Sequence, residues 1–128
     1  MVKRIFFTLS ALFLFVLIGE AQQLKAPQSD LSSQILGVLN KTSGLGLSAD
    51  QESKLKSNNL SFTNDLMGII NSADNEDTKK KNFLNLKNTR QSFLTGLLGQ
   101  QLLGKYNSNV AGMLKPLKKQ LGLAALAF

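Results

Sequence analysis

The stretch that most constrains this chain is Leu47-Ser48-Ala49-Asp50-Gln51-Glu52. Ser48 is a strong N-cap, because its hydroxyl can accept from an early backbone N–H while Gln51, three residues on, reaches back to the cap. Asp50 and Glu52 add negative charge in the first turn, where the helix dipole favours it. A helix therefore starts here. Downstream, apolar residues recur at helical rather than alternating spacing. Leu55, Phe62, Leu66, Ile69, Ile70 and Ala73 share one stripe of a helix expected from Ala49 to about Ser72, and Asn59 falls inside that stripe. A buried amide of this kind needs a partner, so Asn59 is expected where helices splay or against a backbone group.

The same periodicity organises the flanking segments. Leu31, Ile35, Val38 and Leu39 predict a preceding helix from Ser29 or Asp30 to near Asn40, ended by Lys41-Thr42-Ser43-Gly44. Asp74-Asn75-Glu76-Asp77 is the main break and can cap a third helix from about Thr78. Phe83, Leu86, Phe93, Leu94, Leu97 and Leu98 are its apolar stripe, on which Arg90 intrudes. Gly96 and Gly99 weaken that helix and predict a kink or break. Gln100–Tyr106 continues as helix and Asn107-Ser108-Asn109 restarts it. Val110, Met113, Leu114, Leu117 and Leu121 then make a shorter amphipathic piece, bent near Pro116. Leu123–Phe128 reads as a bare apolar tail. No strand-like alternation occurs, so the fold class is all-α: a small antiparallel helical hairpin or bundle of three to five helices, following a cleaved signal peptide.

That leader is read from the N-terminus. Lys3 and Arg4 precede Ile5–Ile18, apolar except for Thr8 and Ser10, and Gly19-Glu20-Ala21 offers small residues at both positions of a cleavage site. An apolar core of 14 residues is shorter than the roughly 20 a spanning helix needs. Residues 1–21 are thus a signal peptide cleaved after Ala21, 22–29 a flexible lead-in, and 30–128 a single helical domain. The protein is expected to be exported, to a periplasm or the extracellular medium. Cleavage of 21 of the 128 residues leaves 107 and removes Lys3, Arg4 and Glu20, so the formal charge falls from +7 to +6.

Composition limits the chemistry. The chain has no cysteine and no histidine, which removes thiolate catalysis, thiolate metal sites and the commonest general base. No nucleophile–base pairing is recognisable, so the protein is expected to be non-enzymatic and without a cofactor or metal. The positive charge favours anionic partners. Nucleic acid is not expected, because tryptophan is absent, Tyr106 is the only tyrosine, and four of the eight phenylalanines lie in the leader. Gly96, Gly99 and Gly104 do not have phosphate-loop spacing.

Leu47-Ser48-Ala49-Asp50-Gln51 resembles the L-[TS]-x-x-Q motif of the periplasmic Spy/CpxP-like (LTXXQ) family of small exported helical proteins. The motif positions are Leu47, Ser48 and Gln51. A second copy would be Leu97-Leu98-Gly99-Gln100-Gln101, which ends on Gln101 but has Leu98 where the family has a hydroxyl residue. The resemblance implies an antiparallel helical hairpin that dimerises into a curved cradle and holds unfolded clients as an ATP-independent chaperone or envelope-stress sensor.

Two surfaces are candidates for partner binding. Lys79, Lys80, Lys81, Lys87 and Arg90 form a basic set for unfolded or exported proteins. Within it, Arg90 is expected to pack its stem on the stripe with its head in solvent, or to pair with Asp65 across the hairpin. The C-terminal segment carries Lys115, Lys118 and Lys119 against Leu114, Leu117 and Leu121. It is read either as a cap docked on the bundle or, alternatively, as a membrane-facing helix on an anionic surface. A thin hairpin of this length also leaves apolar surface that a homodimer would cover.

Overall fold

A computed structural model of the protein describes residues 27–128, and the expected signal peptide and most of the expected lead-in lie outside the described residues. Every described element is helical. Helix α1 is Pro27–Leu39, α2 is Ala49–Ile70 and α3 is Glu76–Leu114; a 3-10 turn (Lys115–Leu117), the one-turn α4 (Lys118–Leu121) and a second 3-10 segment (Gly122–Ala127) follow. Helix α1 begins before Ser29, with proline in its first turn, where the missing N–H has no intrahelical partner to lose.

The start of α2 is fixed by its own side chains. Ser48 Oγ accepts from the Gln51 N–H at 3.1 Å and Gln51 Oε1 accepts from the Ser48 N–H at 3.0 Å, a complete capping box. Gln51 also donates from Nε2 to the Leu97 carbonyl on α3 at 3.1 Å, so one amide both caps α2 and ties it to its neighbour. At the other end, Asn75 Oδ1 accepts from the Thr78 N–H at 2.9 Å and starts α3. Lys79 Nζ reaches back to the Ile70 carbonyl at 3.1 Å, covering an orphan acceptor at the end of α2.

These ties set the direction of packing. From Gln51–Leu97 through Asn58–Arg90 to Ile70–Lys79, the partner number falls as the α2 number rises, so α2 and the first limb of α3 run antiparallel. Helix α3 itself is not straight. Gly99 has φ 79° and ψ 164°, outside helical space. Asn107 Nδ2 donates to Gln91 Oε1 at 3.0 Å, although residues 16 apart on a straight helix lie about 24 Å apart. The second limb, residues 100–114, therefore folds back along the first, residues 76–98.

The core lies between these rods. Ile35 and Leu39 of α1, Leu55, Phe62 and Leu66 of α2, and Phe83, Leu94, Leu98, Leu103, Val110 and Leu114 of α3 are buried. Four sequence expectations change. Phe93, assigned to the stripe, is 40% exposed at the stripe's edge, and Ala73 is exposed beyond the end of α2. Asn107-Ser108-Asn109 lies within continuous helix, because side-chain bonding by Asn107 to Gln91 leaves the local backbone ladder intact. The apolar tail is not loose. Gly122 turns the chain at φ 54°, Ala124 and Ala127 are buried, and Phe128 meets Phe62 edge-on with ring centroids 5.3 Å apart.

Candidate functional site: a buried guanidinium at the floor of a cleft

The site grows from the end of α1. A helix leaves its last carbonyls without intrahelical donors, and here the Leu39 carbonyl is buried. Two side chains from other helices supply the donors: Tyr106 Oη at 2.6 Å and Asn59 Nδ2 at 2.9 Å. Asn59 Nδ2 also donates to Asn40 Oδ1 at 2.9 Å. Asn59 is thus the amide with a backbone partner that its place on the stripe required. Thr63 Oγ1 bonds back to the Asn59 carbonyl at 2.7 Å, satisfying its own hydroxyl within α2. Tyr106 has a single O–H, and the 2.6 Å contact takes it. Its 3.4 Å approach to Asn59 Oδ1 is therefore not a second full donation.

Because Tyr106 Oη donates to Leu39, its lone pair is free to accept, and Arg90 Nη2 donates to it at 3.0 Å. Arg90 Nη1 donates to Asn58 Oδ1 at 2.9 Å. The guanidinium carbon sits 4.6 Å from the centroid of the Phe62 ring and 5.9 Å from that of Tyr106, within cation–π range of both. Arg90 is 4% exposed. It neither snorkels to solvent nor pairs with Asp65, which is exposed. The reversal at Gly99 places Tyr106 over the guanidinium, and the α2 face opposite offers Phe62 and Asn58 rather than an acid. Among the described residues the ion pairs are Lys54–Asp50 and Lys56–Glu52, both exposed within α2. Arg90 is a buried cation with no counter-charge among the described residues.

A cleft of about 350 Å³ opens over this network. Arg90 and Tyr106 form its floor, Lys87, Gln91 and Asn107 a polar flank, and Val110, Ala111 and Phe128 an apolar flank, with no acidic residue among the described residues of its lining. Burial lowers the Arg90 pKa, and the charge interaction and hydrogen bond with Tyr106 pull it partly back. Burial raises the Tyr106 pKa, while the Arg90 charge, its donated hydrogen bond and the weaker contact with Asn59 oppose the rise. The site at neutral pH is a guanidinium cation beside a neutral phenol.

Tyr106 is the only tyrosine, so this can be read directly. Tyrosinate absorbance of the native protein should titrate above the free-phenol value of about 10. Between the two pKa values the unfolded chain has lost the proton that the native state retains. Stability contributed by Tyr106 is therefore complete below about pH 10 and falls as pH rises through the native pKa. A native midpoint at or below the free-phenol value would contradict this environment.

The sequence-derived candidates separate. Lys79 is half-buried against Ile70, Lys80 and Lys81 are exposed, and only Lys87 and Arg90 meet at the cleft. The basic set is not one patch. Of the motif positions, Ser48 and Gln51 form the cap, Leu47 is half-buried, and Gln101 is exposed on the second limb of α3. The second motif copy straddles the Gly99 break. Leu114, Leu117 and Leu121 are buried in the core, while Lys115, Lys118 and Lys119 are exposed. The leucines thus pack inward because the chain turns back at Gly122 and closes over them. Asn58, Gln91, Asn107 and Phe128 were not anticipated as site residues. The available signal was Tyr106 lying seven residues beyond Gly99 with Arg90 nine before it, nearly symmetric about a helix-breaking glycine.

Compared with protein-family models, curated proteins and solved structures, the chain matches none. Among the described residues no helix is long and apolar enough to cross a membrane, and no group of three or more metal-ligating side chains is present.

Proposed function

We propose that this chain is an exported, non-enzymatic helical binding protein that receives an anionic guest in the cleft over Arg90. The observation that carries the reading is the guanidinium, 4% exposed and without a carboxylate partner among the described residues. Burying a cation without a counter-charge is costly, and a guest that brings the missing negative charge removes that cost on binding. The leader supports export to a periplasm or the extracellular medium, with processing after Ala21 and a small antiparallel bundle as the mature form. Exported polypeptides presenting an anionic group are within this guest class, as the Spy/CpxP-like resemblance suggests.

The guest is taken in the cleft rather than on a broad greasy face. Among the described residues the large exposed apolar side chains are Leu60, Leu84, Phe93 and Leu126. Leu84 and Phe93 are nine residues apart on α3 and so point about 180° away from each other. Against the membrane alternative, Leu114, Leu117 and Leu121 face inward, so among the described residues the C-terminal segment has no leucine stripe left to insert.

The test is titration of the purified protein with inorganic phosphate, a peptide ending in a free leucine carboxylate, and dodecanoate, following Tyr106 emission. A saturable response to at least one probe is expected. A flat response to all three would contradict the reading. In the same preparation, the exported form should have the mass of a chain beginning at Gln22.

A further inference from the structure

We infer that the cleft over Arg90 is the seat of a monocarboxylate with an aliphatic tail, its carboxylate on the guanidinium and its tail along Val110, Ala111 and Phe128. This rests on the binding reading above and narrows the guest to one chemical class.

The donors left on Arg90 select the head group. A guanidinium has five N–H groups. Arg90 uses one on Asn58 and one on Tyr106. Three donors remain on a planar guanidinium that lines the cleft, and among the described residues no acid lines it to meet them. A carboxylate matches that fork with two parallel charge-assisted bonds and cancels the buried charge one for one. A dianionic phosphate would bring a second charge into the same buried place, and the one further cation, Lys87, is only half-buried at the flank.

The walls select the tail. Leu39, Val110, Ala111 and Phe128 present hydrocarbon, and the polar flank is tied back on itself in part, because Asn107 Nδ2 donates to Gln91 Oε1. A peptide needs a row of donors and acceptors for its backbone. The described residues provide no strand edge for one, and the Asn107–Gln91 flank offers a single amide acceptor and a single amide donor group beyond its own bond, not a row of them. An aliphatic chain makes no such demand. The cleft volume, about 350 Å³, falls within the roughly 300–1,000 Å³ usual for small-molecule sites.

The experiment is calorimetry and Tyr106 emission on the purified protein with dodecanoate below its micelle concentration, alongside dodecanol and acetate. Saturable binding of one dodecanoate per chain is expected, with dodecanol and acetate each weaker by at least about tenfold, the loss of one strong anchor. Ala111 is exposed and lines the cleft, so Ala111→Phe should fill it and abolish binding while leaving helix content and the unfolding midpoint unchanged. Lys87→Met should weaken binding by severalfold and reduce its salt dependence, which keeps the test intact if the larger substitution perturbs packing. Dodecanoate that fails to bind, binds no better than dodecanol, or binds Ala111→Phe as well as the unaltered chain would overturn the inference. If dodecanoate fails while phosphate or the leucine-ended peptide saturates, this inference falls and the binding reading stands. If every probe fails, both fall.

Discussion

Gly99→Ala is expected to destabilise the protein by about 2 kcal/mol, and Gly96→Ala, three residues earlier, to stabilise it by up to about 1 kcal/mol. Neither added methyl group meets an atom within 4 Å, so crowding does not distinguish the two sites. The backbone does. Gly96 is helical, where alanine is the better residue, whereas Gly99 has φ 79° and ψ 164°, a region that residues with a Cβ rarely occupy. Everything beyond Gly99 returns along the first limb only because of that conformation. The alanine variant should therefore also lose part of the Arg90–Tyr106 contact and shift the native tyrosine titration. Urea unfolding of both variants checks the pair, and similar effects of the same sign at the two glycines would contradict the fold-back of α3.

Asn59→Leu should cost about 2–3 kcal/mol despite similar side-chain size. Asn59 is fully buried and its Nδ2 serves both the Leu39 carbonyl and Asn40 Oδ1. With leucine there, the Leu39 carbonyl keeps the Tyr106 bond, but Asn40 Oδ1 and half of the α1 anchorage are lost. Thr63 is unaffected, because it bonds the backbone carbonyl of residue 59. Amide hydrogen exchange should accelerate most over residues 31–39, the stretch held by this tie. Stability within error of the unaltered protein, with unchanged exchange in α1, would show that apolar contacts of Ile35 and Leu39 dock α1 without the amide.

What could be read from the sequence was the local chemistry. Ser48 and Gln51 cap α2 through atoms three residues apart, and the leucine stripes follow from helical period alone, so neither depends on the rest of the fold. Asn59 was legible as a question, a buried amide needing a partner, because the rule that such groups are satisfied is general. Its partner was not, since Leu39 lies on another helix. Arg90 shows the limit more sharply. Its place on the stripe was visible, but its surroundings depend on Tyr106, which reaches it only through a reversal that glycine permits and nothing local specifies. A kink at Gly96 or Gly99 and a full fold-back at Gly99 share the same sequence signal. Without the fold-back, solvent or Asp65 is the natural destination of the guanidinium. The C-terminal hexapeptide was misplaced for a related reason. Leu123–Phe128 has no helical period of its own, and its burial follows from where Gly122 directs it and from the Phe62 ring waiting there.

The basic residues carry a similar lesson. Lys79, Lys80 and Lys81 are adjacent in sequence and look like one charge feature, yet Lys79 is held by the Ile70 carbonyl. Lys87 and Arg90, three residues apart, share a helix face and a cleft. Helical geometry rather than adjacency decides which charges act together.

If Arg90 serves a guest and not the fold, as we propose, equilibrium urea unfolding of Arg90→Met, with dodecanoate binding measured on the same sample, will separate the two roles. Methionine can lie on the Phe62 ring, Tyr106 keeps its bond to Leu39, and half-buried Asn58 can turn to water. No buried group is orphaned, and an unpaired buried charge is removed. The expected result is stability unchanged or raised by up to about 2 kcal/mol, with binding abolished. A loss of about 3 kcal/mol or more, the cost of breaking a buried structural network, would contradict it.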